Sequence, residues 1–211
     1  MRSRFDEQLT LLNKDLITMG GLCETIIALA FQTMNEETLK DGNEIKTLDN
    51  EIIQKERDIE NLCLKLLLQQ QPVARDLRLI SAALKMVTDM KRIGDIATDI
   101  FEINAQLKNN ESVMFHEMSI VTALMVTKSV DAFVNSDIIL ANEVISDDDK
   151  VDEYFNQAKV QLIKKIADDP ADGEYVLDLL MIAKYLEKIG DHAVNISKWV
   201  IFSISGQHKE E

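Results

Sequence analysis

The chain is expected to be all-α, with six helices forming two tandem homologous three-helix bundles. Three observations predict this. Only seven glycines and two prolines occur in 211 residues, and so few breakers argue for long helices with few turns. Apolar residues recur at spacings of three, four and seven, which is helical and not strand-like. A segment also repeats. Leu84–Ile100 reads LKMVTDMKRIGDIATDI and Leu180–Ile196 reads LMIAKYLEKIGDHAVNI. At one constant offset Leu84/Leu180, Ile93/Ile189, Gly94/Gly190, Asp95/Asp191, Ala97/Ala193 and Ile100/Ile196 are identical, the mark of a duplicated unit.

The expected helices run from Phe5 to Lys40, Asn43 to Gln70, Val73 to Leu107, Ser112 to Val144, Asp147 to Ala167 and Gly173 to Ser203. Gly42 is expected to supply the left-handed position that ends the first. Gly20 and Gly21 interrupt it, which predicts a bend or a close helix contact. Leu48, Ile52, Ile59, Leu62 and Leu66 form one face of the second, as Val151, Phe155, Ala158, Leu162 and Ile166 do in the fifth. Pro72 and Pro170 lack an amide hydrogen and disfavour helical angles in the preceding residue, so they end the second and fifth helices. The polar run of residues 108–112 is the expected linker. It separates a first bundle over 1–108 from a second over 112–211.

The signature helices carry two stripes. Ala83, Met86, Met90, Ile93, Ala97 and Ile100 in the third, and Leu179, Ile182, Leu186, Ile189, Ala193, Ile196 and Val200 in the sixth, form a coiled-coil-type core seam. Gly94 and Gly190 lie beside it. A mid-helix glycine costs about 1 kcal/mol relative to alanine. Close approach of a neighbouring helix would compensate, and so would room for a ligand; close packing is the simpler reading. The second stripe is Glu187, Asp191 and Asn195 in the sixth helix, and Lys91, Asp95 and Asp99 in the third. Carboxylates four residues apart share a helix face and repel unless something neutralises them. Glu56/Glu60 and Asp148/Asp152 have the same spacing. Oxygen ligands on facing helices are how bundles hold metal ions. With 37 acidic residues in the chain, however, such pairs also arise on solvated faces. Arg92 and Lys188 could neutralise them without any metal. His192, next to Asp191, is a candidate ligand or outer-shell group.

The formal charge is -14, which disfavours nucleic acid as a partner. Cys23 and Cys63 form no CxxC motif and read as small buried hydrophobes. No signal-peptide pattern leads the chain, and no apolar run reaches bilayer length, so the expected location is the cytoplasm. No phosphate loop, HExxH or nucleophile–base pattern occurs, so no catalytic residue is expected.

Arg92-Ile93-Gly94-Asp95 and Lys188-Ile189-Gly190-Asp191-His192-Ala193-Val194-Asn195-Ile196 resemble the paired signature of the PhoU family, E-R-I-G-D-x-A and E-R-I-G-D-H-A-x-N-I. The run from Gln71 to Arg78, QPVARDLR, resembles the family's Q-P-x-A-x-D-L-R turn. Phe5–Leu9, Met19-Gly20 and Val200–Gly206 are similar to its opening and closing segments. The resemblance covers nearly the whole chain. It implies a homodimer, and in several members multinuclear iron or zinc clusters on E/D-x-x-x-D motifs. Carried over, these give Glu187/Asp191 as a full match and Glu56/Glu60 and Asp148/Asp152 as further ones. Lys91 replaces the family's usual glutamate, which weakens or empties the first bundle's site unless Asp95/Asp99 substitute. A single metal-holding bundle would then be the second. The implied function is a non-enzymatic cytoplasmic adaptor that negatively regulates the phosphate-starvation response and modulates phosphate uptake. Its implied partners are the ATPase subunit of the phosphate ABC transporter and a sensor histidine kinase, with membrane contact only through them. The alternative is a carboxylate-bridged metal-binding bundle with an enzymatic or storage role.

Overall fold

The computed structural model describes residues 2–32, 42–69, 73–107 and 113–207. Six helices account for almost all of them: α1 (Arg2–Gln32), α2 (Asn43–Gln69), α3 (Ala74–Gln106), α4 (Val113–Asn135), α5 (Ile138–Asp168) and α6 (Gly173–Ser205). No strand occurs among the described residues. The expected end of the first helix at Lys40, the Pro72 turn and the linker at 108–112 lie outside the described residues. Gly42 stands at the head of α2, where its carbonyl accepts from Lys46 N–H (3.3 Å). The left-handed glycine found among the described residues is Gly206 (φ 75), which ends α6.

One boundary differs from expectation. The fourth and fifth helices part at Ser136-Asp137, well before Val144. Ser136 adopts a left-handed φ of 53, which breaks the helix. The Asp137 carboxylate then accepts from Ile139 N–H (2.9 Å) and Leu140 N–H (3.0 Å), capping α5. Val144, expected near the end of the fourth helix, is therefore a core residue of α5. Pro170 acts as expected. α5 stops at Asp168, and Pro170–Asp172 makes one turn of 3₁₀ helix before α6.

The helices form a ring of four with two outriders. α1 packs on α3, α3 on α6, α6 on α4 and α4 on α1. α2 covers the α1/α3 edge and α5 covers the α4/α6 edge. The repeats thus meet along two seams, α1/α4 and α3/α6, and one core cluster runs through both. Every residue of the two predicted signature seams is fully buried. Cys23 and Cys63 are buried free thiols, and burial pushes each up to about 12.

The glycines separate the two explanations of a mid-helix gap. A Cβ on Gly94 would stand 3.0 Å from Ile52 Cδ1 and 3.3 Å from its Cγ2, so α2 presses directly on α3 there. A Cβ on Gly20 would stand 3.2 Å from Val130, the same close approach across the α1/α4 seam. A Cβ on Gly190 would stand 3.3 Å from Asp148 Oδ1, so this gap admits a carboxylate to the α6 backbone.

Candidate functional site

The second repeat gathers acids from α5 and α6. Asp148 lies over Gly190 and is half-buried. Its carboxyl is pushed up to about 6, first by burial and then by Asp191, Asp152, Asp149 and Glu187. The sequence pairs Asp148/Asp152 and Glu187/Asp191 are therefore electrostatic neighbours across two helices. Asn195 is exposed, one turn beyond Asp191. Lysines on the same helix hold two of these acids: Lys184 pairs with Glu187, and Lys188 reaches Asp191 at 2.6 Å. Asp147, one residue before Asp148, behaves in the opposite way. Burial raises it, but hydrogen bonds from Lys150 (2.6 Å) and Lys128 (2.9 Å) outweigh burial and hold it below the usual carboxylate range.

The first repeat has the same arrangement with a cation built in. Lys91 donates to Asp95 at 2.5 Å, and its charge is favoured by that bond and by Asp95, Glu56 and Asp49. Asp49 is raised by burial and by Asp95, and lowered by Lys91. Glu56 is raised by burial, then by Glu60, against Lys91. Lys91 occupies the repeat position of Glu187, so the first cluster carries a cation where the second carries a further carboxylate.

Asp49 escapes a search for acidic pairs four residues apart. A second repeat signal reveals it. One constant offset pairs the buried Ile45, Ile52 and Ile59 of α2 with Val144, Val151 and Ala158 of α5, and it pairs Asp49 with Asp148. Glu56 and Glu60 join the same neighbourhood, but neither is the repeat partner of Asp148.

Asp99 and His192 face the α3/α6 seam. Asp99 accepts a hydrogen bond from Tyr185; burial and Glu102 raise its carboxyl against that bond. His192 Nδ1 lies 2.8 Å from the buried Asp89 of the other repeat. His192 is thus committed to tying the repeats together.

Hard oxygen donors of this kind suit a divalent or ferric ion. As they stand, however, they do not fit one. Among the described residues no three His, Cys, Asp or Glu side chains converge on one point, and Glu187 and Asp191 each hold a lysine. No helix of the described residues is long and apolar enough to cross a membrane.

Comparison with known proteins places this architecture. The PhoU domain model matches twice, over residues 16–103 and 115–200. The phosphate-specific transport system accessory protein PhoU homolog of Pseudomonas putida is 34% identical over 208 residues, covering 96% of this chain and 81% of that protein. The Pseudomonas aeruginosa homolog is 33% identical, covering 96% of this chain and 86% of its own length. The crystal structure of PhoU from Pseudomonas aeruginosa superposes with a TM-score of 0.89 at 31% identity, over 96% of this chain and all of that one. PhoU from Streptococcus pneumoniae shares the fold, with a TM-score of 0.85 at 24% identity. The chain belongs to the PhoU family.

Proposed function

We propose that this protein is a non-enzymatic accessory protein of phosphate uptake, acting in the cytoplasm. On this reading it restrains the phosphate-starvation response when phosphate is plentiful. It acts as an adaptor between the ATPase subunit of a phosphate ABC transporter and a sensor histidine kinase. The observation that carries the reading is similarity along nearly the whole chain, in both repeats, to proteins named for the phosphate-specific transport system. Physically, such an adaptor binds one state of a partner better than another and shifts that population. A strain lacking the gene, and any paralogue, is expected to express phosphate-starvation genes in high phosphate and to return to repression on complementation. Unchanged expression and unchanged phosphate uptake would overturn the reading.

A second reading concerns metal. Asp148 is raised to about 6 by burial first and then by its acidic neighbours, and the mutual repulsion of Asp148, Asp152, Glu187 and Asp191 would be relieved by a bound cation. Iron or zinc there would require Lys184 and Lys188 to release their carboxylates. Protein purified without chelator is then expected to carry metal that Asp191→Ala lowers. Equal metal content in both proteins would remove the site.

A further inference from the structure

α2 and α5 each cover one edge of the four-helix ring, and among the described residues no further element covers the α1/α4 edge. α1 and α4 run antiparallel there. Thr127 Oγ1 donates to Glu24 (3.0 Å), and Gly20 abuts Val130. Between them lies an open groove of about 230 Å³. The buried Ile27, Phe31 and Ser119 form its floor, and Ala28, His116, Ile120 and Ala123 its walls. The apolar surface continues past the groove. Ile120 and Leu124 are 48% and 49% exposed, one helical turn apart on α4. On α1 the exposed line Ile17, Gly21, Glu24, Ala28 follows helical spacing, with Ile17 49% exposed. A side chain added at Gly21 would meet nothing within 4 Å. Small residues on both helices leave this seam shallow enough for another helix to lie along it.

The charges choose the occupant. Glu24, Glu117 and Asp131 are exposed on these two helix faces. Against them stand Lys14 on the α1 line and the basic side chain of His116 at the groove, while Lys128 is drawn away to Asp147. A second copy seated groove to groove would set Glu24, Glu117 and Asp131 against the same acids, and an anionic lipid surface would be repelled by them in the same way. We propose that the α1/α4 groove is a docking surface for an amphipathic helix of a partner protein, with an apolar stripe flanked by lysine or arginine. This inference goes beyond the phosphate-regulation reading and does not depend on it.

The test uses the full chain and a fluorescent synthetic helix of roughly 18 residues, about 27 Å long. The probe carries leucine at the repeating i, i+3, i+4, i+7 positions and lysine elsewhere. Two comparison peptides replace lysine by glutamate or scramble the leucine spacing. The leucine–lysine helix is expected to bind in anisotropy titrations. Ile120→Lys and Ala28→Lys, both at exposed positions, should each weaken it at least about tenfold while melting like the wild type. Ile163→Lys, on the exposed side of α5, should leave affinity unchanged. Equal binding of either comparison peptide would overturn the proposal, as would an Ile163→Lys effect as large as that of Ile120→Lys. So would retention of full affinity by Ala28→Lys and Ile120→Lys. Self-association in sedimentation that Ile120→Lys abolishes would assign the groove to a second copy and likewise overturn it.

Discussion

Burial, and after it the neighbouring acids, raise the Asp148 carboxyl. A carboxyl raised to about 6 in the fold binds its proton more tightly than in the unfolded chain. As pH rises from about 4 to about 6, the unfolded chain loses that proton freely while the fold resists, so stability falls across this window and the full penalty persists above it. Asp148→Asn removes the penalty. The variant should be more stable than the wild type at pH 7 to 8 by about 1 kcal/mol, after discounting for solvent screening. The gain should vanish near pH 4. Thermal melts at several pH values measure this, and a gain independent of pH would contradict it.

Two glycines make an opposite pair. Gly94→Ala gains helix propensity but drives a methyl against both branches of the fully buried Ile52. The β-branched side chain cannot turn both away, so overpacking wins and the variant should lose about 1 kcal/mol. Gly21→Ala meets nothing within 4 Å and should gain about 0.5–1 kcal/mol. Denaturant titration of the two variants reads both signs.

Among the elements, the α4/α5 junction depends on one side chain. Asp137→Ala releases two α5 amides and should cost about 1 kcal/mol, seen as a lower melting temperature. This junction also marks a limit of periodicity. Apolar residues continue through Val134, Ile138, Ile139 and Leu140, so the pattern carries the eye across the break. The signal was local: Asn135-Ser136-Asp137 are residues that favour turns and caps over helix interiors. Proline was easier to read, since Pro170 ends a helix by lacking a donor whatever surrounds it. The core seams were legible for a related reason, because spacing within one helix sets which residues share a face. Asp49 was not, because its approach to Asp95 depends on the register of α2 against α3. The Asp89–His192 contact joins residues 103 apart in sequence, and spacing within a helix does not reach it.

At the scale of the whole molecule, the duplicated unit is closed by packing between its copies. α1/α4 and α3/α6 join the repeats, and Asp89–His192 and Asp99–Tyr185 bridge the second seam. With one continuous core, the chain should unfold in a single calorimetric transition, with van't Hoff and calorimetric enthalpies equal. Two resolved transitions would contradict a shared core. The two copies have diverged in charge: Lys91 pairs with Asp95 and lowers Asp49 and Glu56 against their burial, while the second copy has Glu187 at that position, among the acids that raise Asp148. An adaptor requires surfaces more than chemistry, and the most direct test is physical association. The tagged chain should be used to recover the phosphate transporter ATPase subunit and the sensor kinase from cells grown in high and in low phosphate. At least one of them should be recovered, in amounts that change with phosphate. Recovery of neither at either phosphate level would contradict the adaptor reading.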